Sequence, residues 1–333
     1  KHARFNMELD ELHLWSCETP NLYDLVLELG DDKVASYFGM RNTYYHANKF
    51  YLNNKVVYQR LILDQGFYPD GIYTAPSDQE LLNDIKRSMD MGFNGARLHQ
   101  KVFEPRFLYH CDVLGYLVWE EHANWGLDIS KDKAWESFIP EWLEILERDY
   151  NHPSIIGWCP FNETQKDQNI NIIKYVADMT RAFDSTRPVI DTSGWVHVDG
   201  ASDLRDKHDY DQNPLTFKER YDAIDQQKKN YDGYVDENCA PVFISEYGGI
   251  WWSETDTSGW GYGQRPNSLD EVIERYRGLT EVLLNNPNLG AFCYTQLTDV
   301  EQEQNGLYTY DRKPKMDPAI IRAINSQKAA VEE

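Results

Sequence analysis

The amino-acid sequence predicts an α/β protein: a (β/α)8 barrel preceded by the last strands of a β-sandwich. Three observations predict it. From residue 48 onward, eight short apolar runs alternate with amphipathic helical segments, the rhythm of a barrel that typically needs about 250 residues. Residues 1–45 instead read as strand and turn with no helical period. No G-x-G-x-x-G follows the first run, which sets aside an open doubly wound sheet.

In order, Tyr23–Leu29 is β-favouring, Gly30–Lys33 reads as a turn and Val34–Gly39 resumes strand. Two strands cannot bury a face alone. They are expected to close a β-sandwich whose earlier strands lie outside the sequence; a hairpin packed on the main domain is the alternative. The expected division is 1–45 for this remnant and 46–333 for the barrel. The barrel runs are Val57–Leu63, Asn94–Leu98, Tyr116–Trp119, Ile155–Trp158, Pro188–Asp191, Asp203–His208, Pro241–Ile244 and Gly290–Tyr294. Between them, Ser77-Asp78-Gln79-Glu80 and Ser268-Leu269-Asp270-Glu271 have the spacing of capping boxes at helix starts. Gly115 is placed to end a helix begun at Pro105. Segments 133–149, 169–184 and 217–231 carry the helical period, the last most weakly.

Composition bounds the function. The 333 residues, 41% of them hydrophobic, can bury a core without a disulfide or metal staple. A net charge of −22 repels phosphate backbones, so nucleic acid and anionic membrane are not expected partners. No apolar run approaches the length of a membrane span. The opening KHARFNMELD has neither an initiator Met nor a hydrophobic signal core, so a removed leader or a longer parent is expected. Cys17, Cys111, Cys159, Cys239 and Cys293 show no C-x-x-C spacing, which argues against a disulfide framework or zinc site. Reduced thiols suit a cytoplasmic location. The sequence leaves a homo-oligomer open.

In such a barrel the chemistry sits at the C-terminal ends of the strands. The polar residues closing the runs are Asp64, Arg97, His99, Glu120, Glu121 and His122 in the first half. Asn162, Glu163, Trp195, His208, Tyr210, Glu246, Gln296 and Asp299 follow in the second. The set is rich in carboxylates and aromatics, without a phosphate-binding glycine loop or a nucleophilic Ser or Cys motif. Two endings stand apart: Ile155–Cys159 leads to Asn162-Glu163, and Pro241–Ser245 leads to Glu246 and a glycine pair. They close the fourth and seventh runs, which face each other across a barrel mouth. Glycosidic cleavage needs such a pair, one carboxyl to protonate the leaving oxygen and one to attack or to activate water. A lone strand-end Glu is more often a solvated salt-bridge partner; two at matching places favour chemistry.

At these residues the sequence resembles glycoside hydrolase family 2, the family of β-galactosidases, β-glucuronidases and β-mannosidases. Asn151-His152-Pro153-Ser154, Trp158 and Asn162-Glu163 resemble its acid/base signature, and Ile244-Ser245-Glu246-Tyr247-Gly248 its nucleophile strand. Leu14-Trp15-Ser16 with Pro20-Asn21-Leu22-Tyr23 is similar to the final strands of its immunoglobulin-like β-sandwich. Lys49–Lys55 resembles the hairpin leading into its barrel. The resemblance implies a retaining exo-β-glycosidase, β-galactosidase first, with β-glucuronidase, β-mannosidase and α-L-arabinopyranosidase as alternatives. It implies Glu163 as general acid/base, Glu246 as nucleophile and Asn162 on the sugar 2-hydroxyl. Arg97 is then expected to orient Glu246, and Tyr210 to donate to it. Asp64, Trp195, His99, Glu121 and His208 are expected in the sugar pocket, with Asp70, Trp125, Trp251 and Trp252 as further candidates. The partner is a terminal β-glycoside; no cofactor and no metal is implied. His99 comes one place earlier than the family's R-x-x-H, Cys159 stands where Ser or Gly is usual, and no clear uronate-gripping N-x-K is present.

Two rivals differ in class. A metal-dependent barrel hydrolase would use His99, His122 and His208 as ligands. A non-catalytic carbohydrate-binding barrel would be expected to have lost one carboxylate, and both are present.

Overall fold

The computed structural model describes residues 5–165, 168–224 and 241–332. The chain opens with an antiparallel hairpin of β1 (Tyr23–Leu29) and β2 (Asp32–Phe38), turned at Gly30. Val26, Leu27, Leu29 and Val34 stay exposed, so the hairpin buries little by itself, as expected of the end of a sandwich. A second antiparallel sheet, β3 (Thr43–His46), β4 (Lys49–Leu52) and β5 (Lys55–Val56), leads into the barrel.

The barrel follows, with strands and helices alternating except where β9 runs on to β10 and β11 to β12. Its first half holds β6 (Gln59–Asp64), α1 (Asp78–Asp90), β7 (Gly95–Leu98), α2 (Pro105–Leu114), β8 (Leu117–Glu121) and α3 (Asp132–Asp149). Next come β9 (Ile155–Cys159), β10 (Phe161–Asn162), α4 (Ile170–Phe183), β11 (Thr192–Ser193), β12 (Arg205–Asp209) and α5 (Pro214–Asp222). The last elements are β13 (Val242–Gly248), α6 (Leu269–Leu284), β14 (Leu289–Thr295) and α7 (Pro318–Asn325). Seven strands form one parallel sheet in the order β12-β13-β14-β6-β7-β8-β9. The stretch 188–193 closes it into a ring. Ile190 N donates to Trp158 O at 3.0 Å, β10 pairs with β11, and Asp203 N donates to Val189 O at 2.8 Å. Among the described helices none is long and apolar enough to cross a membrane.

The expected fifth strand, Pro188–Asp191, holds only an isolated bridge of Val189 to Trp158, and the regular two-residue strand Thr192–Ser193 follows it. Pro188 has no N–H to give, and Val189 N donates to the Asp203 carboxylate instead of a ladder carbonyl. The expected helix 217–231 begins earlier, at Pro214 behind the Asn213 cap, because Asn followed by Pro is a strong start signal. Its positions 225–231 lie outside the described residues. The two capping serines act as read: Ser77 and Ser268 accept from Glu80 N and Glu271 N. Gly115 ends α2 at a φ of 72°, where glycine is unstrained.

Side chains alternate along the strands. Leu61, Leu63, Leu117, Trp119, Ile156 and Phe243 fill the interior, and Trp15, Phe50 and Leu52 belong to the same cluster. The outward residues join the helices in a larger core. Gly157 breaks the apolar run because a Cβ there would run into the Trp119 ring. Cys159 also belongs to the interior cluster. Cys17, Cys111, Cys159 and Cys293 are free thiols, and Cys239 lies outside the described residues.

Candidate active site

Glu246 and Glu163 meet at the C-terminal mouth. Glu246 lies within β13 and is nearly buried. Its Oε1 accepts from Arg97 Nη1 at 2.7 Å, and its Oε2 accepts from the Tyr210 hydroxyl. His208 Nδ1 stands 3.3 Å from Oε2, and His99 Nδ1 stands 3.9 Å from Oε1. Burial pushes the Glu246 carboxyl up, but His208, Arg97, His99 and the Tyr210 hydrogen bond outweigh it. The carboxyl is held down to about 2. Glu163 follows β10 and is about a fifth exposed. Its φ of 51° is left-handed, a strained setting for a residue with a Cβ, and its N–H donates to Ser193 O at 2.7 Å. Its Oε1 lies 2.7 Å from the same His208 Nδ1. One oxygen from each glutamate and one nitrogen of His208 all lie within 4.8 Å of one another.

Arg97 organises the floor. Fully buried on β7, it pairs through Nε with Glu121, through Nη1 with Glu246, and donates from Nη2 to Asn162 Oδ1 at 2.5 Å. That contact uses the amide oxygen of Asn162 and leaves its buried Nδ2 without a partner. A buried donor without an acceptor costs stability unless a ligand takes it. Tyr210 stacks flat on Tyr262 and also meets Thr295 Oγ1 at 3.1 Å.

These elements match a sequence family. The model "Glycosyl hydrolases family 2, TIM barrel domain" matches residues 46–327, and "Glycosyl hydrolases family 2" matches residues 1–41. The chain belongs to glycosyl hydrolase family 2. It is similar to the β-galactosidase of Thermoanaerobacterium thermosulfurigenes, 28% identical over 74% of this chain and 34% of that protein. It is also similar to a putative β-glucuronidase of Formosa agariphila, 36% identical over 45% of this chain and 19% of that one. The chain thus spans about a third or less of these relatives. Among solved structures, the β-D-glucuronidase of Dictyoglomus thermophilum superposes with a TM-score of 0.78 at 19% identity. That match covers 97% of this chain and 60% of the other. The β-galacturonidase of Eisenbergiella tayi bound to galacturonate gives 0.76 at 19%, covering 95% and 60%. At this identity the likeness shows the family 2 fold alone.

Within this family 2 barrel, the other expected site residues separate. Glu121 is fully buried against Arg97, His99 and Gln100 N, so it supports the floor and shows no surface to a sugar. His99 stands beside the same carboxylate, with Nδ1 3.3 Å from Glu121 Oε2. Asp64 is buried at the end of β6, where its Oδ1 accepts from Gly66 N, and burial beside Asp84 raises its carboxyl to about 6. Asp70 lies exposed in the turn closed by Tyr68 and Ile72, as its Pro-Asp-Gly context allows. Trp195 and Trp125 are open rings standing edge-on to His208 and His99. Trp252 packs on the core and stacks under Arg265.

His122 stacks on Phe138 and Trp142, away from the mouth, so the three-histidine metal arrangement does not form. Among the described residues, Glu163, His208 and Glu246 are the group whose ligand atoms converge closely enough for a cation. The sequence reading missed a supporting layer. Gln100 ties β7 to the 124–125 loop, and Ser193 Oγ carries His208 Nε2 at 2.9 Å while donating to Asp206 at 2.5 Å. Glu303 bonds Gln65 and Asn305, and burial raises its carboxyl. Gln100 follows His99 by one place and Ser193 precedes Trp195 by two, a signal that was available.

Proposed function

We propose that this barrel is the catalytic part of a retaining exo-β-glycosidase acting on neutral terminal β-glycosides, β-galactosides first. The carrying observation is the approach of the two glutamates. Retaining enzymes hold their carboxyl groups about 5–5.5 Å apart and inverting ones about 6.5–9.5 Å apart. Oxygens within 4.8 Å of each other support the former. Glu246, ionised and held by Arg97 and Tyr210, attacks the anomeric carbon. Glu163, at the open side, protonates the leaving oxygen. Water then cleaves the glycosyl-enzyme with Glu163 as base. Asn162 Nδ2 is the donor offered to the 2-hydroxyl.

A uronide would bring a carboxylate that needs a cation. Arg97, Lys101 and Lys315 are each occupied within the protein, Lys101 by Gly66 O and Tyr73 O, and Lys315 by Asp299, Trp252 O and Gln304 O. Glu303, whose carboxyl is raised by burial and by the charge of Glu246, adds a further acid there and no cation. β-Glucuronidase is the second reading, favoured by the name of the Formosa relative. The test is turnover of aryl β-D-galactoside against aryl β-D-glucuronide, with NMR of the first-formed anomer. Retention on the galactoside, abolished in Glu246→Ala, is expected; inversion, or unchanged turnover in that variant, refutes the mechanism. Faster turnover of the glucuronide refutes the neutral-sugar reading.

A further inference from the structure

On the side of Glu163 lies a cleft of about 290 Å³, whose walls include Asn124, Trp125, Leu127, Gln168 and Trp195. Glu163 lines it, whereas Arg97, Asn162, Tyr210 and Glu246 do not. A catalytic acid stands between the sugar being transferred and the group that departs. A cleft bounded by the acid without the nucleophile is therefore on the departing side.

Its two tryptophans are 55% and 54% exposed, unusual for the largest apolar side chain at a concave site. They are not loose. Gln100 Oε1 accepts from Asn124 N at 3.0 Å and from Trp125 N at 2.8 Å, fixing the loop that carries Trp125. On the other wall, Gly194 N donates to Asp206 Oδ2 at 3.1 Å and Val198 N to Asp191 Oδ2 at 2.6 Å, tying the chain on both sides of Trp195. Rings held open in advance lose little freedom when a ligand arrives. Gln168 adds a buried Oε1 with no partner among the described residues. Aromatic faces beside amide groups complement a sugar ring, which joins apolar C–H faces to hydroxyl edges.

We propose that this cleft is the leaving-group subsite, and that the substrate is an oligosaccharide whose second sugar residue is held between Trp125 and Trp195. The inference rests on the glycosidase reading and names the class of aglycone. The assay compares kcat/KM for a β-linked disaccharide and for the matching glycosyl fluoride, whose leaving group is too small to reach either ring. Both substrates are supplied in galacto and glucurono forms. Trp125→Ala and Trp195→Ala are each expected to lose roughly ten-fold more on the disaccharide than on the fluoride, and Trp→Phe at either position to recover most of that gap. Equal losses on both substrates, or none on the disaccharide, overturn the subsite and leave the glycosidase reading standing. If the unsubstituted protein turns over neither substrate in either form, both readings fall together.

Discussion

Arg97→Met asks whether the ionised state of Glu246 depends on one buried cation. At 2.7 Å and an effective dielectric near 20, the Arg97–Glu246 attraction alone amounts to about 6 kcal/mol before desolvation is counted. Removing the guanidinium strands two buried carboxylates, Glu121 and Glu246, and breaking a buried pair in this way costs about 3–5 kcal/mol net. The same change lifts the Glu246 carboxyl from about 2, because a neighbouring cation favours the charged form. Urea unfolding at neutral pH is therefore expected to report that loss. The acid limb of kcat/KM is expected to move up by about one pH unit. Adding Glu121→Gln removes one stranded charge and should return part of the stability without restoring the rate. Arg97→Lys keeps the charge but lacks the fork that reaches Glu121, Glu246 and Asn162 together, so it should fall between. An Arg97→Met protein with unchanged stability and an unmoved acid limb refutes the reasoning.

Four further outcomes follow from the same packing and charges. Because Glu246 is depressed from 4.5 to about 2, its ionisation stabilises the fold above pH 4.5 by about 3 kcal/mol. That contribution drains away as pH falls toward 2. Glu246→Gln should show a flatter loss of stability across that window in pH-dependent denaturation. Gly157→Ala drives a methyl into the Trp119 ring and should cost about 1–3 kcal/mol in urea unfolding. Lys315→Met leaves Asp299, already raised to about 6, without its cation; a loss of about 3 kcal/mol is expected by thermal denaturation. Ser268→Ala removes the acceptor for Glu271 N at the start of α6, and about 1 kcal/mol should go with it.

How much of this was legible in the sequence varies with the range of the interaction. Helix starts were readable because a cap is local: Ser77 and Ser268 bond a neighbour three residues on. Seven of the eight runs hold a regular strand, whereas Pro188–Asp191 holds only a bridge at Val189 and the strand Thr192–Ser193 follows it, because a proline and a side-chain acceptor interrupt the ladder. Strand ends told where Arg97, Glu163, His208 and Glu246 would sit, because the barrel fixes which end carries chemistry. What the sequence withheld was depth. Nothing in the adjacent pair Glu120-Glu121 says that the first meets Arg148 and Asp149 while the second lies under Arg97. His99 and His122 likewise read alike, yet one stands 3.3 Å from Glu121 and the other stacks on helix side chains. The period-two alternation assigns a face but not the partners waiting on it.

The two central glutamates are the same residue type, to which the proposed mechanism gives opposite tasks, and their surroundings differ. Glu246 faces a guanidinium, a phenol and two imidazoles in a buried floor, whereas Glu163 faces one imidazole and partial solvent. His208 Nδ1 is shared between them, at 2.7 Å from Glu163 and 3.3 Å from Glu246. In the proposed mechanism this sharing has a direction. Once Glu246 becomes an ester it carries no charge, so Arg97 keeps only Glu121 as an ionic partner and His208 keeps only Glu163. The Nδ1 of His208 then contacts only the Glu163 carboxyl, the group that takes a proton from the incoming water in that mechanism. The first half-reaction thus removes a competitor for one nitrogen beside the base of the second. His208→Asn should accordingly slow breakdown of the glycosyl-enzyme more than its formation. Rapid-quench measurement of intermediate build-up from an activated aryl glycoside checks this, and equal slowing of both steps would refute it.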